Sequence, residues 1–208
     1  MFAEKHLRPL AAKIEAEEYF PGDFLRALGR NGFLGAPFSR PDGGLGLGWV
    51  CETIVAEEVS AVSGAAETAR LASDALYSAP LAYFGNSVQK KEFLRPVLIG
   101  EKVGALALTE PQAGSDAGSI KTRARRQGGD LILNGENRFI TNGGVADYLF
   151  LSAVTDPSKP ARSAISAFVI PRNSKCLDVV KAQSLLGMRG PTSPISGFET
   201  LVSREKIS

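Results

Sequence analysis

A single histidine, His6, stands among 208 residues. A zinc site draws several ligands from His and Cys, and Ser-His-Asp chemistry needs an imidazole held firmly in place, so one histidine near a chain start serves neither. No metal site is expected. Cysteine is almost as scarce: Cys51 and Cys176 lie far apart and lack a C-x-x-C spacing. They read as reduced core residues rather than a disulfide framework, which suits a cytosol-like compartment and a cytoplasmic location. Long apolar runs are missing too. No segment approaches the ~20 residues of a membrane-spanning helix, and the start MFAEKHLRPLAAKIEAEEYF carries acids where a secretory signal would carry an apolar stretch. An excess of one charge is also absent, with 24 basic against 22 acidic residues and a formal net charge of +2. That balance does not draw the chain toward nucleic acid or an anionic membrane, and neither is expected as a partner. What is present is ordinary apolar mass, 44% hydrophobic against 22% charged, enough for the core of one or two domains.

The first half reads as helices punctuated by glycine and proline. Residues 3–19 place Leu7, Leu10, Ala11 and Ile14 on one helical face, and Pro21-Gly22 closes the run. A short helix over 23–30 carries Asp23 in its first turn, and 31–48 is a turn-rich connection. Two longer helices follow, over 49–62 and about 65–84; the second is mostly Ala and Leu with few charges and should be buried among others. A last helix opens at Asn86, a good N-cap, and stops at Gly100, with Pro96 bending its final turn. Beyond Gly100 come short runs separated by turns: 103–109, 120–126, 130–135, 138–143, 147–154, 164–170, 177–183 and 195–201. Helices first and strands second predict an α+β chain, an all-α bundle over 1–100 followed by a small antiparallel β-barrel or sandwich over 101–208.

Four stretches invite a functional reading. GGLGLG, 43–48, has the wrong spacing for a dinucleotide fingerprint and leaves no predicted strand, so it reads as a loop with turn glycines. IKTRARR alternates Lys121, Arg123 and Arg125 without interleaved aromatics, which favours a solvated strand face over a nucleic-acid groove. LALTEPQAGSD, 106–116, is different in kind: Thr109 stands near a strand end, Pro111 stops the ladder, and Gly114 and Ser115 offer close backbone approach with N–H and O–H donors. Such a nest suits a phosphate or a polarised carbonyl. Glu110 and Asp116 would repel an anion unless turned away, and taken alone the stretch reads more readily as a structural loop. RFITNGG repeats the design, with Phe139 and Ile140 as apolar surface, Thr141 as a hydroxyl, and Asn142-Gly143 as a turn signal. Two such strand ends would suit a planar ring that needs a wall and a few hydrogen bonds, as a flavin does.

These two stretches, in this order, resemble the acyl-CoA dehydrogenase family of flavoenzymes. The likeness runs through LRALGRNGFLGAPFSRPDGGLGLG at 25–48, AEEVS at 56–60, NSVQKKEFLRPVLIGEKVGALALTEPQAGSD at 86–116, NGENRFITNGGVADYLFLSAVTDP at 134–157 and LLGMRGPTSPISGFE at 185–199. It implies a fold of three parts: a helical N-terminal domain, a β-barrel-like middle domain and a C-terminal four-helix domain. The resemblance places Leu106, Ala107, Leu108, Thr109, Gly114 and Ser115 against FAD, with Leu108 and Thr109 near the ring and Ser115 also facing the acyl-CoA. It places Phe139, Ile140 and Thr141 on the other side, with Thr141 near the hydride-accepting nitrogen. Four positions depart from the pattern: relatives often carry an aromatic where Leu106 stands, tryptophan at Phe139, and Gly-Ser where Pro191-Thr192 stands.

The implied reaction is α,β-dehydrogenation of an acyl-CoA thioester in fatty-acid β-oxidation, with an electron-transfer flavoprotein as acceptor. VSREKIS falls about where the middle domain ends in the family, whose C-terminal helical domain supplies the catalytic carboxylate. No catalytic residue carries over onto this sequence, and a homo-oligomer, or a partner supplying the helical domain, is expected. Glu110 resembles a substitute base but belongs to the flavin loop in relatives. The alternative reading is a non-catalytic flavin or acyl-CoA binder. Acyl-CoA oxidases and nitroalkane oxidases share these motifs, and fold likeness does not separate them.

Overall fold

A computed structural model describes residues 2–128, 130–174, 178–183, 185–190 and 193–203; Cys176, Pro191 and Thr192 lie outside them. The chain divides into two compact units, residues 1–104 with 184–192 and residues 105–183 with 193–208.

The helical unit contains α1 Phe2–His6, α2 Arg8–Glu17, α3 Gly22–Arg30, α4 Gly48–Ser60, α5 Gly64–Leu71, α6 Ala79–Phe84, α7 Ser87–Gln89 and α8 Arg95–Leu98. The helix expected over 3–19 is broken at Leu7, because Pro9 enters the first turn of α2 without an N–H to give. Leu7 and Ile14 nevertheless reach one core with Phe24, Leu25, Leu28, Leu34 and Val59. Asn86 caps α7 in a reciprocal pair: its Oδ1 accepts from the Gln89 N–H, and Gln89 Oε1 accepts from the Asn86 N–H, both at 2.9 Å. Ahead of Pro96 the ladder widens to a π-helical turn over Lys90–Leu94, and Gly100, at φ +77°, ends the helix. A π turn lets the backbone pass a residue that lacks a donor. Residues 185–190 rejoin this unit. A Cβ on Gly190 would lie 2.4 Å from Ile14 Cγ2, and Arg189 N–H donates to Glu15 Oε2 at 3.4 Å.

A second π-helical stretch, Ala72–Ser78, joins α5 to α6. The long helix expected there is buried on one side only, with Leu71, Leu76, Tyr83 and Phe84 exposed, and its buried side is built around a charge: Arg70 has no exposed surface. Its Nη2 meets Glu52 Oε1 at 2.6 Å, its Nε meets Glu67 Oε2 at 2.7 Å, and its Nη1 meets Asp74 Oδ2 at 2.8 Å. Burial opposes the guanidinium charge, yet the hydrogen bonds that Arg70 donates to Glu67 and Glu52 outweigh it and raise its pKa. Burial raises Glu67 as well, and raises Asp74 well above the usual carboxylate range, with the Glu52 charge adding to the effect. The same stretch grips Gly104, within its own unit. Ser73 Oγ donates to the Gly104 carbonyl at 3.1 Å and accepts its N–H at 3.2 Å, while the Tyr77 ring lies against Gly104 so closely that a Cβ would fall 2.4 Å from Tyr77 Cγ.

The second unit is a sheet of β1 Gly104–Ala107, β2 Arg123–Gln127, β3 Asp130–Asn137, β4 Tyr148–Val154, β5 Ile165–Pro171, β6 Asp178–Gln183 and β7 Ser193–Ser203, with the short α9 Ala161–Ala164 before β5. The strand order is β1-β4-β2-β3-β7-β6, and β5 pairs with β4. The α+β division stands, but the β part is a correction to the antiparallel barrel or sandwich. Among the described residues the path of pairing has two free ends instead of closing, and β2 meets β4 in parallel at Arg123↔Val154. Alternating burial, as in β4 with Leu149, Leu151 and Ala153 inside, fixes which face a residue takes and says nothing of closure. The strand expected over 138–143 is a turn instead. β3 runs past Asn134-Gly135 because a register shift against β7 absorbs the irregularity. Among the described residues no helix is long and apolar enough to cross a membrane.

Two outcomes follow from the buried charge and the gripped glycine. Arg70→Met strands three buried carboxylates and should lower unfolding free energy by about 3–5 kcal/mol in urea denaturation. Asp74 binds its proton more tightly folded than unfolded, so its contribution is complete at low pH and is lost as pH rises through the raised folded value. Asp74→Asn should therefore flatten the decline in stability that sets in as pH rises above the ordinary carboxylate range in the same assay. Gly104→Ala, which pushes a methyl into the Tyr77 ring, should cost about 1–3 kcal/mol by thermal denaturation.

Candidate functional site

The two stretches singled out by their chemistry, 106–116 and 139–141, are joined by one carbonyl. β1 ends at Ala107, and the half-buried Leu108 and Thr109 continue it outward. The Thr109 carbonyl accepts the N–H of Arg138 at 2.7 Å and Asn137 Nδ2 at 3.3 Å. Asn137 is fully buried at the end of β3, so the residue after it starts the turn from a fixed point.

That turn bends sharply. Phe139 takes φ +58° and Asn142 takes φ +64°, left-handed conformations that a bulky aromatic seldom adopts. The Ile140 carbonyl accepts the Gly143 N–H at 2.9 Å, and the Asn142 carbonyl accepts those of Val145 and Ala146 at 2.9 and 2.8 Å. Arg172 Nη1 donates to the Gly143 carbonyl at 2.7 Å and ties the turn to the residue after β5. The outcome is a Phe139 ring that is 61% exposed while Ile140 is 0% exposed. Ile140 anchors the turn in the core, and Thr141 is half-buried beside it. Ala107 is likewise 0% exposed, so Ala107 and Ile140 can offer a ligand only their backbone.

The loop after Thr109 is closed at its neck. Glu110 and Ala113 exchange two backbone hydrogen bonds, of 2.9 and 3.2 Å. The Glu110 carboxylate, only 4% exposed, turns inward: Oε1 accepts the Thr122 N–H at 2.7 Å, and Oε2 accepts the Lys121 N–H at 2.7 Å and Gln112 Nε2 at 2.5 Å. A carboxylate turned inward onto three donors is out of a substrate's reach, and no anion would meet its charge at the loop surface. Gly114 and Ser115 are exposed, the Gly114 Cβ position faces open space, and the described residues supply no partner for the N–H groups of Gly114 and Ser115 or for the Ser115 hydroxyl. Asp116 shapes the next turn with its backbone, its carbonyl accepting the Ser119 N–H at 3.1 Å and Ser119 Oγ at 2.9 Å. The arrangement combines an exposed ring with unpaired donors on a pinned loop, elements suited to a flat heterocycle that carries phosphate.

The other stretches do different work. In GGLGLG the N–H groups of Gly44, Leu45, Gly46 and Leu47 are engaged by the carbonyls of Ser39, Gly35, Phe38 and Ala36, leaving none for a phosphate at those positions. Lys121, Arg123 and Arg125 are exposed and alternate with buried Thr122 and Ala124, as a solvated strand face should. Sequence reasoning missed Asn137 and Arg172. The first followed a turn-like Asn-Gly pair, and the second lay in no motif; neither contact has a local signal.

Residues 1–101 match the family description "Acyl-CoA dehydrogenase, N-terminal domain", and residues 105–198 match "Acyl-CoA dehydrogenase, middle domain". The chain is 37% identical over 201 residues to the short-chain specific acyl-CoA dehydrogenase of Clostridium acetobutylicum, covering 97% of this chain and 53% of that protein. Among solved structures, butyryl-CoA dehydrogenase from Megasphaera elsdenii is similar at a TM-score of 0.88 and 29% identity, over 100% of this chain and 54% of that one. A structure described as the FAD complex of PigA gives a TM-score of 0.91 at 26% identity, over 100% and 55%. The chain spans about half the length of the curated relatives it matches. Matched over both domains, it belongs to the acyl-CoA dehydrogenase family.

Proposed function

We propose that this chain provides the flavin-binding part of an FAD-dependent acyl-CoA dehydrogenase acting by α,β-dehydrogenation of an acyl-CoA thioester. The observation that carries the reading is Phe139: a largely exposed aromatic, held in left-handed backbone, tied through Thr109 to a loop with unpaired donors. Backbone strain clusters at ligand sites, and an exposed aromatic face suits a flat partner. The residues present fit FAD. Phe139 gives the ring a wall, Thr109 and Thr141 give hydroxyls near its polar edge, and the backbone of Leu106, Ala107, Leu108 and Ile140 lines the approach. The donors at Gly114 and Ser115 suit its phosphates, and Ser115 also faces the acyl-CoA.

When bound, FAD supplies the hydride acceptor for the β-hydrogen of the thioester. The chain's own residues orient it. Apolar Leu106, Leu108 and Phe139 keep water from the reacting bond, and Thr141 holds a proton donor beside the accepting nitrogen. Removal of the α-proton falls to a carboxylate outside these stretches, since Glu110 is engaged by the backbone. The electron acceptor is a second flavoprotein of the electron-transfer type, and the working form is a homo-oligomer. Family membership supports both.

The visible spectrum of the purified protein with added FAD tests the reading. A resolved, shifted flavin band is the expected result; a spectrum identical to free FAD at every protein concentration would sink it. Phe139→Ala should weaken FAD binding by roughly two- to ten-fold in a fluorescence titration, the worth of one aromatic contact, with a melting temperature close to wild type because the ring is exposed.

A further inference from the structure

Glu110 is the one acid of the candidate site whose charge is fully turned inward, and its partners lie on both sides of the loop that carries Gly114 and Ser115. Its backbone closes the near end of the loop through Ala113. Its side chain closes the far end through the consecutive N–H groups of Lys121 and Thr122, and Thr122 in turn accepts the Val154 N–H at 2.7 Å, fixing that end to β4. The residue before it, Thr109, holds the Phe139 turn by its carbonyl. Both halves of the site therefore hang from two adjacent residues, one through a backbone carbonyl and one through a carboxylate.

We propose that Glu110 is a positioning residue for the cofactor: its carboxylate sets the shape of residues 111–122 so that the donors at Gly114 and Ser115 face FAD. Two features single out a carboxylate for this task. Consecutive N–H groups need two acceptor atoms side by side, which only Asp and Glu supply among side chains, and Asp is one methylene shorter. A glutamine would face one of those N–H groups with its own NH2, donor against donor. Burial makes the match stricter, because water cannot stand in for the missing acceptor.

The inference rests on the FAD reading, and its test separates the two. The full chain and its Glu110→Gln variant are compared without FAD by hydrogen exchange over 111–122, and with FAD by fluorescence titration and the visible spectrum. Exchange in the variant should be about ten-fold faster over that span and unchanged in β4 and β5, while FAD binding weakens by about ten-fold. Because the variant may not fold, Lys121→Pro provides a second route: it removes one donor and leaves the carboxylate in place. Ile120, at φ −58° and ψ 145°, already has the conformation that a following proline requires. That variant should reproduce part of both effects.

Unchanged exchange over 111–122 in the folded variants overturns the proposal. So does faster exchange with wild-type affinity and spectrum, since the loop would then be ordered by Glu110 for no purpose of the cofactor. If the wild-type chain binds no FAD while exchange still quickens in the variant, the FAD reading fails and the cofactor role falls with it. If the wild type binds and the variants differ from it only in melting temperature, the FAD reading stands and the positioning role is lost.

Discussion

The candidate site depends on the carbonyl of Thr109. Its two lone pairs are taken by the Arg138 N–H and the Asn137 side-chain amide, so the residue that leaves β1 and the residue that leaves β3 are held by one acceptor. Every later feature builds on that junction. Phe139 is exposed because Arg138 is fixed before it and Ile140 is sunk in the core after it, leaving the backbone between them a left-handed step. Strain at a bulky residue costs of order 1–3 kcal/mol, and it persists only where neighbouring contacts over-determine the turn. Here they include the carbonyls of Ile140 and Asn142 and the Arg172 guanidinium on Gly143.

Much of the helical unit was legible because its signals are local. Asn86 caps, Gly100 terminates and Pro96 disturbs the helix it sits in, each through the backbone of its own neighbours. The β unit was legible in its alternation and illegible in its pairing. Phe139, Ile140 and Thr141 are all good strand formers, and the Asn-Gly signal after them was read as the end of a strand. The left-handed conformations of Phe139 and Asn142 show that the turn had already begun. Tertiary anchoring of Ile140 and Arg138 overrode propensity. Closure into a barrel was equally beyond reach, since it depends on which edges meet, and β2 meets β4 with β3 intervening in the chain rather than through a local turn.

Charge followed the same division. The stretch 65–84 reads as apolar with few charges, and its few charges turn out to organise its interior around Arg70. Glu52 comes from a different helix, so no spacing within 65–84 could have revealed the cluster. Nor could the sequence show that the segment 185–190 returns to the helical unit, since the contact of Gly190 with Ile14 is a matter of closeness between residues remote in the chain. Glycine was a visible clue there only in hindsight of the approach it permits.

The buried acids divide the chemistry of the chain. Asp74 lies in a cluster of three carboxylates about one arginine, where burial and the Glu52 charge raise its pKa. Glu110 lies under a loop where two backbone amides and an amide side chain donate to its carboxylate. A general base must exchange a proton with substrate at the moment of reaction, which demands an acceptor that is both reachable and incompletely satisfied. Asp74 is unreachable and Glu110 is satisfied. The site around Thr109 is therefore built to hold and orient, and the same hydrogen bonds that remove Glu110 from proton transfer are those that give the loop its shape.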